Sequence, residues 1–203
     1  MPRSAVPLDP ERETRLTAAA ATAFTEVGYE LASLNHIISE AGLAKSSFYH
    51  YFPDKQRLHD HVVLTLRTRL GRGLRLPDIE DLDAGTYWQA VATLLFDLEA
   101  TMAKDPQTRL LVGMFHHRLA ARGPTGQLTR LRAEVAAWTA RAVEAGVRLG
   151  VLRRDIPVSL LADVALGILR ALTDPEPYEK ADLPWSEVAN RLLRDALTQA
   201  REP

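Results

Sequence analysis

The sequence predicts an all-α fold of about nine helices, in which an N-terminal helix-turn-helix domain of three helices is joined by a helix to a C-terminal helical bundle. Apolar residues recur at spacings of three and four along most of the chain, which is the period of a helix and not of a strand. The 12 prolines and 11 glycines fall mostly between these segments, where they can end helices. With 203 residues, 46% of them hydrophobic and 25% charged, the chain can bury a substantial core.

Four helices are expected in the first third of the chain. Each is an amphipathic segment bounded by a residue that caps or stops a helix, such as Gly28, Gly42 or Pro53. The second of them is only about two turns long. Their expected extents are Asp9 to Val27, the segment from the N-cap Ser33 to Ala41, Lys45 to Phe52, and a longer helix that Asp54 caps.

The C-terminal part begins after a stretch without periodicity, Arg75 to Gly85, which carries four acidic residues and has the composition of a linker. Five further apolar stripes predict the remaining helices. Their approximate extents are Trp88 to Met102, Leu110 to Leu119, Leu128 to Leu149, Val158 to Leu172 and Trp185 to Ala200. The last two carry apolar residues on more than one face, as expected of helices that pack against their own domain and against a second copy of the chain. We therefore expect a homodimer.

Composition excludes several classes of site and partner. The chain has 25 basic and 26 acidic residues, so any surface for nucleic acid must be local. It has no cysteine, which rules out disulfides, thiolate nucleophiles and Cys-ligated zinc. No apolar run approaches the ~20 residues of a membrane span, so a cytoplasmic protein without a membrane partner is expected. No metal is expected either, since His59 and His61 diverge at i, i+2, and no cofactor motif is present.

The segment from Ser33 to Phe52 combines a helix, a tight glycine turn and a second helix, the unit that can place its second helix in a DNA major groove. If Phe48 and Phe52 face inward, the outward face offers donors that suit phosphates and base edges. These outward residues are Lys45, Ser46, Ser47, Tyr49 and His50. Lys55 begins the next helix, where a cation opposes the helix dipole, so a phosphate is an expected partner. The alternative is that both lysines are ordinary solvated charges and that the tyrosines only fill the small core.

The local pattern closely resembles the DNA-binding region of TetR-like regulators. The residues that carry the resemblance are Gly28-Tyr29, Ser33-Leu34, Ile37, Ala41-Gly42-Leu43, Lys45, Ser47-Phe48-Tyr49-His50-Tyr51-Phe52 and Asp54-Lys55. The resemblance implies an all-helical homodimer with a DNA-binding domain at residues 1–55, a recognition helix at about 45–52, and an effector-binding and dimerisation domain at 56–203. Carried over by position, it implies that DNA is contacted by Ser33, Asn35, Lys45, Ser46, Ser47, Tyr49, His50 and Lys55. Ala44 departs from the family, which commonly has Ser or Thr there, and removes the expected N-cap of the recognition helix.

The resemblance implies a transcriptional regulator, a repressor that a small-molecule effector releases from a pseudo-palindromic operator. The sequence does not identify the effector, although an apolar cavity between helices could be lined by Trp88, Phe96, Phe115, His116 and Trp138. The alternative for these residues is a filled core with no cavity. An enzyme is not expected, because phosphate-cradling glycine loops, nucleophile elbows and zinc-protease motifs are all missing. A second alternative is a helical protein-interaction adaptor with a degenerate helix-turn-helix.

Overall fold

The computed structural model describes residues 8–116, 126–173 and 183–198, and within these ranges it contains ten α-helices and no strand. The predicted all-α fold is confirmed. In the same ranges, no helix has the length and apolar character that crossing a bilayer requires. The helices are α1 (Pro10–Glu26), α2 (Gly28–Leu31), α3 (Leu34–Glu40), α4 (Lys45–Tyr51), α5 (Lys55–Gly73), α6 (Tyr87–Lys104), α7 (Pro106–His116), α8 (Gln127–Arg148), α9 (Val158–Thr173) and α10 (Trp185–Leu197).

One compact unit comprises the described residues up to Arg69 together with those of Pro106–Arg130. Its core draws almost completely buried side chains from five helices, and burying each such side chain contributes about 1.5–3 kcal/mol. The core is therefore larger than three short N-terminal helices alone could build. Its large apolar members are Leu16 and Phe24 of α1, Ile37 of α3, Phe48 of α4, Leu58, Val62, Val63 and Leu66 of α5, and Leu111 and Met114 of α7.

Helix α7 belongs to this first unit because it packs along α1. The hydroxyl of Thr25 donates to the carbonyl oxygen of Leu110 at 3.0 Å. Gly113 lies so close to Thr25 that a Cβ at this position would clash with the threonine methyl. The compact unit thus differs from the predicted division into residues 1–55 and 56–203, since it combines the N-terminal helices with a segment from farther along the chain. The functional division at residue 55 stays a prediction.

The second compact unit contains the described residues of Leu70–Asp105 and those from Leu131 onward. Aromatic and aliphatic side chains from four helices meet in its core, as the apolar stripes predicted. Buried members from each helix are Tyr87 and Leu95 of α6, Val143 of α8, Leu161 and Leu172 of α9, and Ala189, Leu193 and Leu197 of α10. The hydroxyl of Tyr87 donates to the carbonyl oxygen of Ala142 at 3.1 Å. Burial raises the pKa of this phenol to about 12.

Helix α10 is capped by a side chain from another helix. Pro184 stands at its N-cap position and provides no side-chain hydrogen bond. Instead, one carboxylate oxygen of Glu99 on α6 accepts from the amide of Trp185 at 3.0 Å, and the other accepts from the hydroxyl of Ser186. A carboxylate at a helix N-terminus satisfies free amides and complements the helix dipole. This contact therefore stabilises α10 and attaches its start to α6.

Most helix boundaries agree with the predicted ones within a few residues, but α2 was not expected. Gly28 has a φ of +78°, the left-handed conformation that suits a helix stop. The chain then closes one further turn, in which the amide of Ala32 donates to the carbonyl oxygen of Gly28 at 3.1 Å. Four residues are too few to display a helical apolar period, so the pattern could not predict this turn. The predicted ends at Leu119 and Ala200 lie outside the described residues.

Candidate nucleic-acid interface

The turn between α3 and α4 is tight because glycine occupies its left-handed position. Gly42 has a φ of +65°, a conformation that L side chains rarely adopt. The amide of Gly42 donates to the carbonyl oxygen of Ser39 at 2.9 Å, and the amide of Leu43 donates to that of Ile38 at 3.1 Å. These bonds satisfy carbonyls at the end of α3 and direct the chain into α4. The predicted helix-turn-helix is present.

Core packing determines which face of α4 points outward. Phe48 is completely buried, and its ring stacks on that of Phe52 at a centroid distance of 5.5 Å. Tyr49 is 51% exposed, although its ring makes an edge contact with Phe48 at 5.3 Å. The expected outward face is therefore observed, except that one serine lies partly inward. Lys45, Ser46, Tyr49 and His50 are exposed, and Ser47 is half-buried.

The N-termini of α3 and α4 differ in their caps. The side chain of Ser33 accepts from the amide of His36 at 3.4 Å, so it is the N-cap of α3, as predicted. Asn35 is exposed on the first turn of that helix. Ala44 provides no side-chain hydrogen bond to α4, as expected from the methyl group at this position. Substituting a capping residue by Ala typically costs about 0.5–2 kcal/mol, so the start of α4 depends on the anchoring of Phe48.

Lys55 has partners that the sequence did not indicate. Its ammonium donates to the backbone carbonyl oxygens of Tyr29 at 2.7 Å, Glu30 at 3.2 Å and Ala32 at 3.1 Å. It also lies 4.6 Å from the centre of the Tyr29 ring, a cation–π contact. An ammonium group has three donors, and here each of them has a protein acceptor. The three carbonyl oxygens therefore explain why a lysine can stand at the start of α5 without a bound phosphate.

The Tyr29 ring, which covers Lys55, is part of an aromatic cluster. It stacks with Phe24 at 5.9 Å and makes an edge contact with His59 at 5.2 Å. Burial raises the pKa of the Tyr29 phenol, and the nearby carboxylates of Glu30, Asp54 and Asp60 raise it further. The cluster fixes the segment between α1 and α3 against α5. The sequence motif included Tyr29 but carried no indication of this role.

A cleft opens beside the outward face of α4, with a volume of about 310 Å³. It is lined by residues at and just before the start of α1 and by residues of α4. Its lining residues are Leu8, Arg12, Ser46, Ser47, His50 and Tyr51. Sequence reasoning missed Leu8, Arg12 and Tyr51 as members of this surface. No sequence signal could have found them, because the cleft depends on the packing of α1 against the helix-turn-helix.

The five residues predicted to line an effector cavity lie in both compact units. Phe115 and His116 belong to the first unit, where both are half-buried and their rings make an edge contact at 5.1 Å. Trp88 belongs to the second unit and packs against its core, with the guanidinium of Arg194 at 5.0 Å from its ring. Trp138 of the second unit is half-buried. Phe96, also of the second unit, is 64% exposed on α6.

Titratable side chains near the helix-turn-helix pair within the first unit. The Nε2 atom of His61 lies 3.1 Å from a carboxylate oxygen of Glu13, and the imidazole packs beside Phe52 at 5.1 Å. In the part of the chain that the structure describes, no three His, Cys, Asp or Glu side chains come together as ligands for a metal ion. The cations and hydroxyls around α4 are thus the chemistry that this surface offers to a partner.

Comparisons with known proteins find a family that matches the helix-turn-helix region and proteins that resemble most of the chain. Residues 16–62 match the family described as bacterial regulatory proteins, tetR family. The HTH-type transcriptional repressor KstR2 of Rhodococcus jostii is 29% identical over 149 residues, which cover 73% of this chain and 72% of that protein.

Solved structures extend the likeness to almost the whole chain. A TetR family transcriptional regulator from Chloroflexus aurantiacus superimposes with a TM-score of 0.64 at 23% identity, covering 93% of this chain and 87% of that one. The transcriptional regulator FadR from Bacillus subtilis, solved in complex with stearoyl-CoA, superimposes with a TM-score of 0.60 at 16% identity, covering 91% and 97%. At these identities, the two structures show a common fold.

Proposed function

We propose that this chain is a TetR-type transcriptional repressor that binds a pseudo-palindromic operator and leaves it when a small molecule binds. The match of residues 16–62 to the tetR family and the likeness to the repressor KstR2 support this proposal. The observation that carries this proposal is the orientation of α4. Phe48 is anchored in the core, while Lys45, Tyr49 and His50 face outward beyond a tight Gly42 turn. A helix presented in this way can enter a major groove and offer donors to base edges and phosphates. As a regulator of chromosomal genes, it would act in the cytoplasm.

The direct DNA contacts that we propose are those of the outward face and of the preceding helix. They are Ser33, Asn35, Lys45, Ser46, Ser47, Tyr49 and His50. We assign Lys55 to a different role, since its ammonium already has three carbonyl acceptors. It positions the segment that leads into α3, and thereby the N-cap Ser33.

We propose that the operator is read by a homodimer. Leu160 and Val164 lie one turn apart on α9 and are 51% and 37% exposed, and Leu192 on α10 is 43% exposed. Gly167, on the same side of α9, is open: apart from its own neighbours and nearby helix backbone, no atom of the described chain lies within 4 Å of the place its Cβ would take. Large exposed aliphatic groups beside an open glycine support close helix packing against a second copy. A twofold dimer then presents two α4 helices to two half-sites one helical turn apart.

We further propose a largely apolar effector, bound by the part of the chain from residue 56 onward. The FadR complex holds stearoyl-CoA, whose acyl chain is apolar, and this supports an effector with a large apolar part. Trp88, Phe115 and Trp138 are half-buried aromatic residues that could contact such a part. Phe96 and His116 remain proposed contacts. An effector can displace the operator only if it binds the operator-bound and the operator-free conformations with unequal affinity. Titrations of stearoyl-CoA with and without operator should then give dissociation constants that differ by about 5–150-fold, for a coupling of about 1–3 kcal/mol.

The DNA-binding proposal is tested by selecting duplexes from a random library with the purified protein. We expect enrichment of one pseudo-palindrome, whose affinity is then measured by fluorescence anisotropy. A Lys45→Ala, Tyr49→Ala double variant should lose at least about 1–3 kcal/mol of binding free energy. Lys104→Ala, which removes an exposed cation at the end of α6, should bind like the parent.

Two outcomes of this selection would oppose the proposal. If the double variant bound the selected operator as tightly as the parent, α4 would not be the recognition helix. If no sequence were enriched and all duplexes bound equally weakly, a helical adaptor with a degenerate helix-turn-helix would explain the fold better than a regulator. Circular dichroism and thermal melting of each variant separate a lost contact from a lost fold.

A further inference from the structure

We propose that the cleft beside α4 holds a phosphate of the operator backbone and that Arg12 of α1 is the residue that binds it. This inference rests on the proposed function, because the phosphate is that of the DNA read by α4. It adds a DNA contact from outside the helix-turn-helix. No residue of α1 was among the DNA contacts predicted from the sequence.

The lining chemistry of the cleft is that of an anion site. Around a volume of about 310 Å³ it combines a guanidinium, an imidazole and three hydroxyl groups, contributed by Arg12, His50, Ser46, Ser47 and Tyr51. All of these groups can donate hydrogen bonds, and none of the described residues that line the cleft carries a carboxylate. A guanidinium can bind two phosphate oxygens at once in its planar fork. The volume leaves room for a phosphate group and bridging waters.

The position of the cleft favours a DNA phosphate as its occupant. Ser46 and His50 belong both to the cleft and to the exposed face of α4. When a recognition helix lies in a major groove, side chains at its flank face the sugar–phosphate backbone that borders the groove. Arg12 lines the same cleft from α1. A ligand in the cleft would therefore lie on the same side of α4 as the DNA.

The first turn of α1 is held in place, which fixes the backbone from which Arg12 extends. Asp9 is the N-cap, and its carboxylate accepts from the amides of Glu11 at 3.0 Å and Arg12 at 3.4 Å. Pro10 occupies the first helical position, where its φ suits a helix start. The carboxylate of Glu13 lies 3.1 Å from His61, away from the cleft residues. Arg12 thus reaches the cleft from an ordered helix start.

The test is the salt dependence of operator binding by the full-length protein, with Arg12→Gln compared with the parent. Each phosphate contact contributes about 0.9 to the slope of log K against log salt concentration. A dimer contains two clefts, so Arg12→Gln should reduce the magnitude of that slope by about 1.8. At low salt, Arg12→Gln should weaken DNA binding by at least about tenfold, and by the same factor for duplexes of different sequence. Arg12→Lys should retain most of the slope.

The matched control is Arg15→Gln, which removes an exposed cation from the same helix that does not line the cleft. It should leave both slope and affinity close to those of the parent. Operator duplexes in which single phosphates are replaced by neutral methylphosphonates locate the contact. One replacement in each half-site should weaken the parent at least about tenfold and weaken Arg12→Gln much less, because that variant has already lost the arginine contact.

The possible failures can be told apart. If the parent binds a selected operator but Arg12→Gln behaves like Arg15→Gln, the proposed phosphate contact is wrong and the regulator function stands. If Arg12→Gln weakens binding to one sequence only, with an unchanged slope, the arginine contacts a base and the phosphate assignment is equally wrong. If the parent selects no operator at all, it is the proposed function that fails.

Discussion

Replacing Lys55 by Met should destabilise the first compact unit and leave the electrostatics of DNA binding unchanged. The side chain of Met retains the length and apolar stem of Lys but cannot donate hydrogen bonds. The variant therefore loses the bonds to the carbonyl oxygens of Tyr29, Glu30 and Ala32, and the cation over the Tyr29 ring. Lys55→Met thus tests whether this lysine positions the helix-turn-helix or contacts a phosphate.

The magnitude follows from these contacts. A hydrogen bond to a charged group contributes about 1.5–3 kcal/mol net, and an exposed cation–π contact adds about 0.5–1 kcal/mol. The bond to Glu30 lies in an exposed position where water can replace the lysine, whereas those to Tyr29 and Ala32 are partly buried. We expect a total loss of about 2–4 kcal/mol. For a chain of this size, that corresponds to a decrease in Tm of roughly 5–15 °C.

Two measurements decide between the roles. Urea denaturation of Lys55→Met gives the free energy of unfolding, and operator titrations at several salt concentrations, at a temperature where the variant is folded, give the slope of log K. Arg57→Met is the control, since Arg57 is an exposed cation two residues further along α5. A positioning role predicts lost stability with an unchanged salt slope. Unaltered stability, together with a slope about 1.8 smaller in magnitude, would refute this reasoning in favour of a phosphate contact.

Three further predictions concern the second compact unit. A Leu160→Asp, Leu192→Asp double variant should convert the dimer to a folded monomer, because it places charges on the exposed apolar face. Light scattering at micromolar concentration measures the mass in solution, and a monomeric parent would contradict the proposed dimer. Glu99→Ala should lower the free energy of unfolding by about 1–2 kcal/mol, because it removes the cap of α10; urea titration detects this loss, and an unchanged midpoint would contradict the capping role. The folded pKa of Tyr87, about 12, exceeds the unfolded value near 10, so its contribution is fully present below pH 10 and is lost as the pH rises towards 12. Above pH 10 the advantage of the parent over Tyr87→Phe should therefore shrink by about 1.4 kcal/mol per pH unit, and a constant difference would show that the phenol titrates normally.

Local signals predicted the helix-turn-helix well because each depends on a few neighbouring residues. Ser33 caps α3, Gly42 adopts the left-handed conformation, and Phe48 is buried, so the outward face of α4 follows from helix geometry alone. The sequence also predicted correctly that Ala44 provides no side-chain cap to α4. The resemblance to TetR-like regulators agrees with the match of residues 16–62 to the tetR family of bacterial regulatory proteins.

Apart from the short helix α2, the features that sequence reasoning missed depend on residues that are distant in the chain. Lys55 finds its acceptors 23 to 26 residues earlier, and Glu99 caps a helix that begins 86 residues later. Arg12 lines the cleft together with residues of α4, and α1 itself packs against α3. From the position of a charged residue in its helix, one can infer whether its charge opposes the helix dipole, as that of Lys55 does. One cannot infer which group, distant in the chain, binds the charge. The contact of Lys55 with DNA therefore stays a prediction, beside the positioning role that its carbonyl partners support.

The packing of α7 on α1 has a consequence for how the chain acquires its structure during synthesis. The hydroxyl of Thr25 and the carbonyl of Leu110 that accepts from it are separated by 85 residues, so this contact closes a long loop before it contributes any stability. On the ribosome, α1 to α5 emerge first and lack α7 until roughly another forty residues have been added, a delay of seconds at ordinary elongation rates. During that interval, the surface of α1 around Thr25 has no covering helix. The N-terminal helices should therefore reach full resistance to proteolysis only after α7 has emerged, and nascent chains arrested before and after that point should differ accordingly.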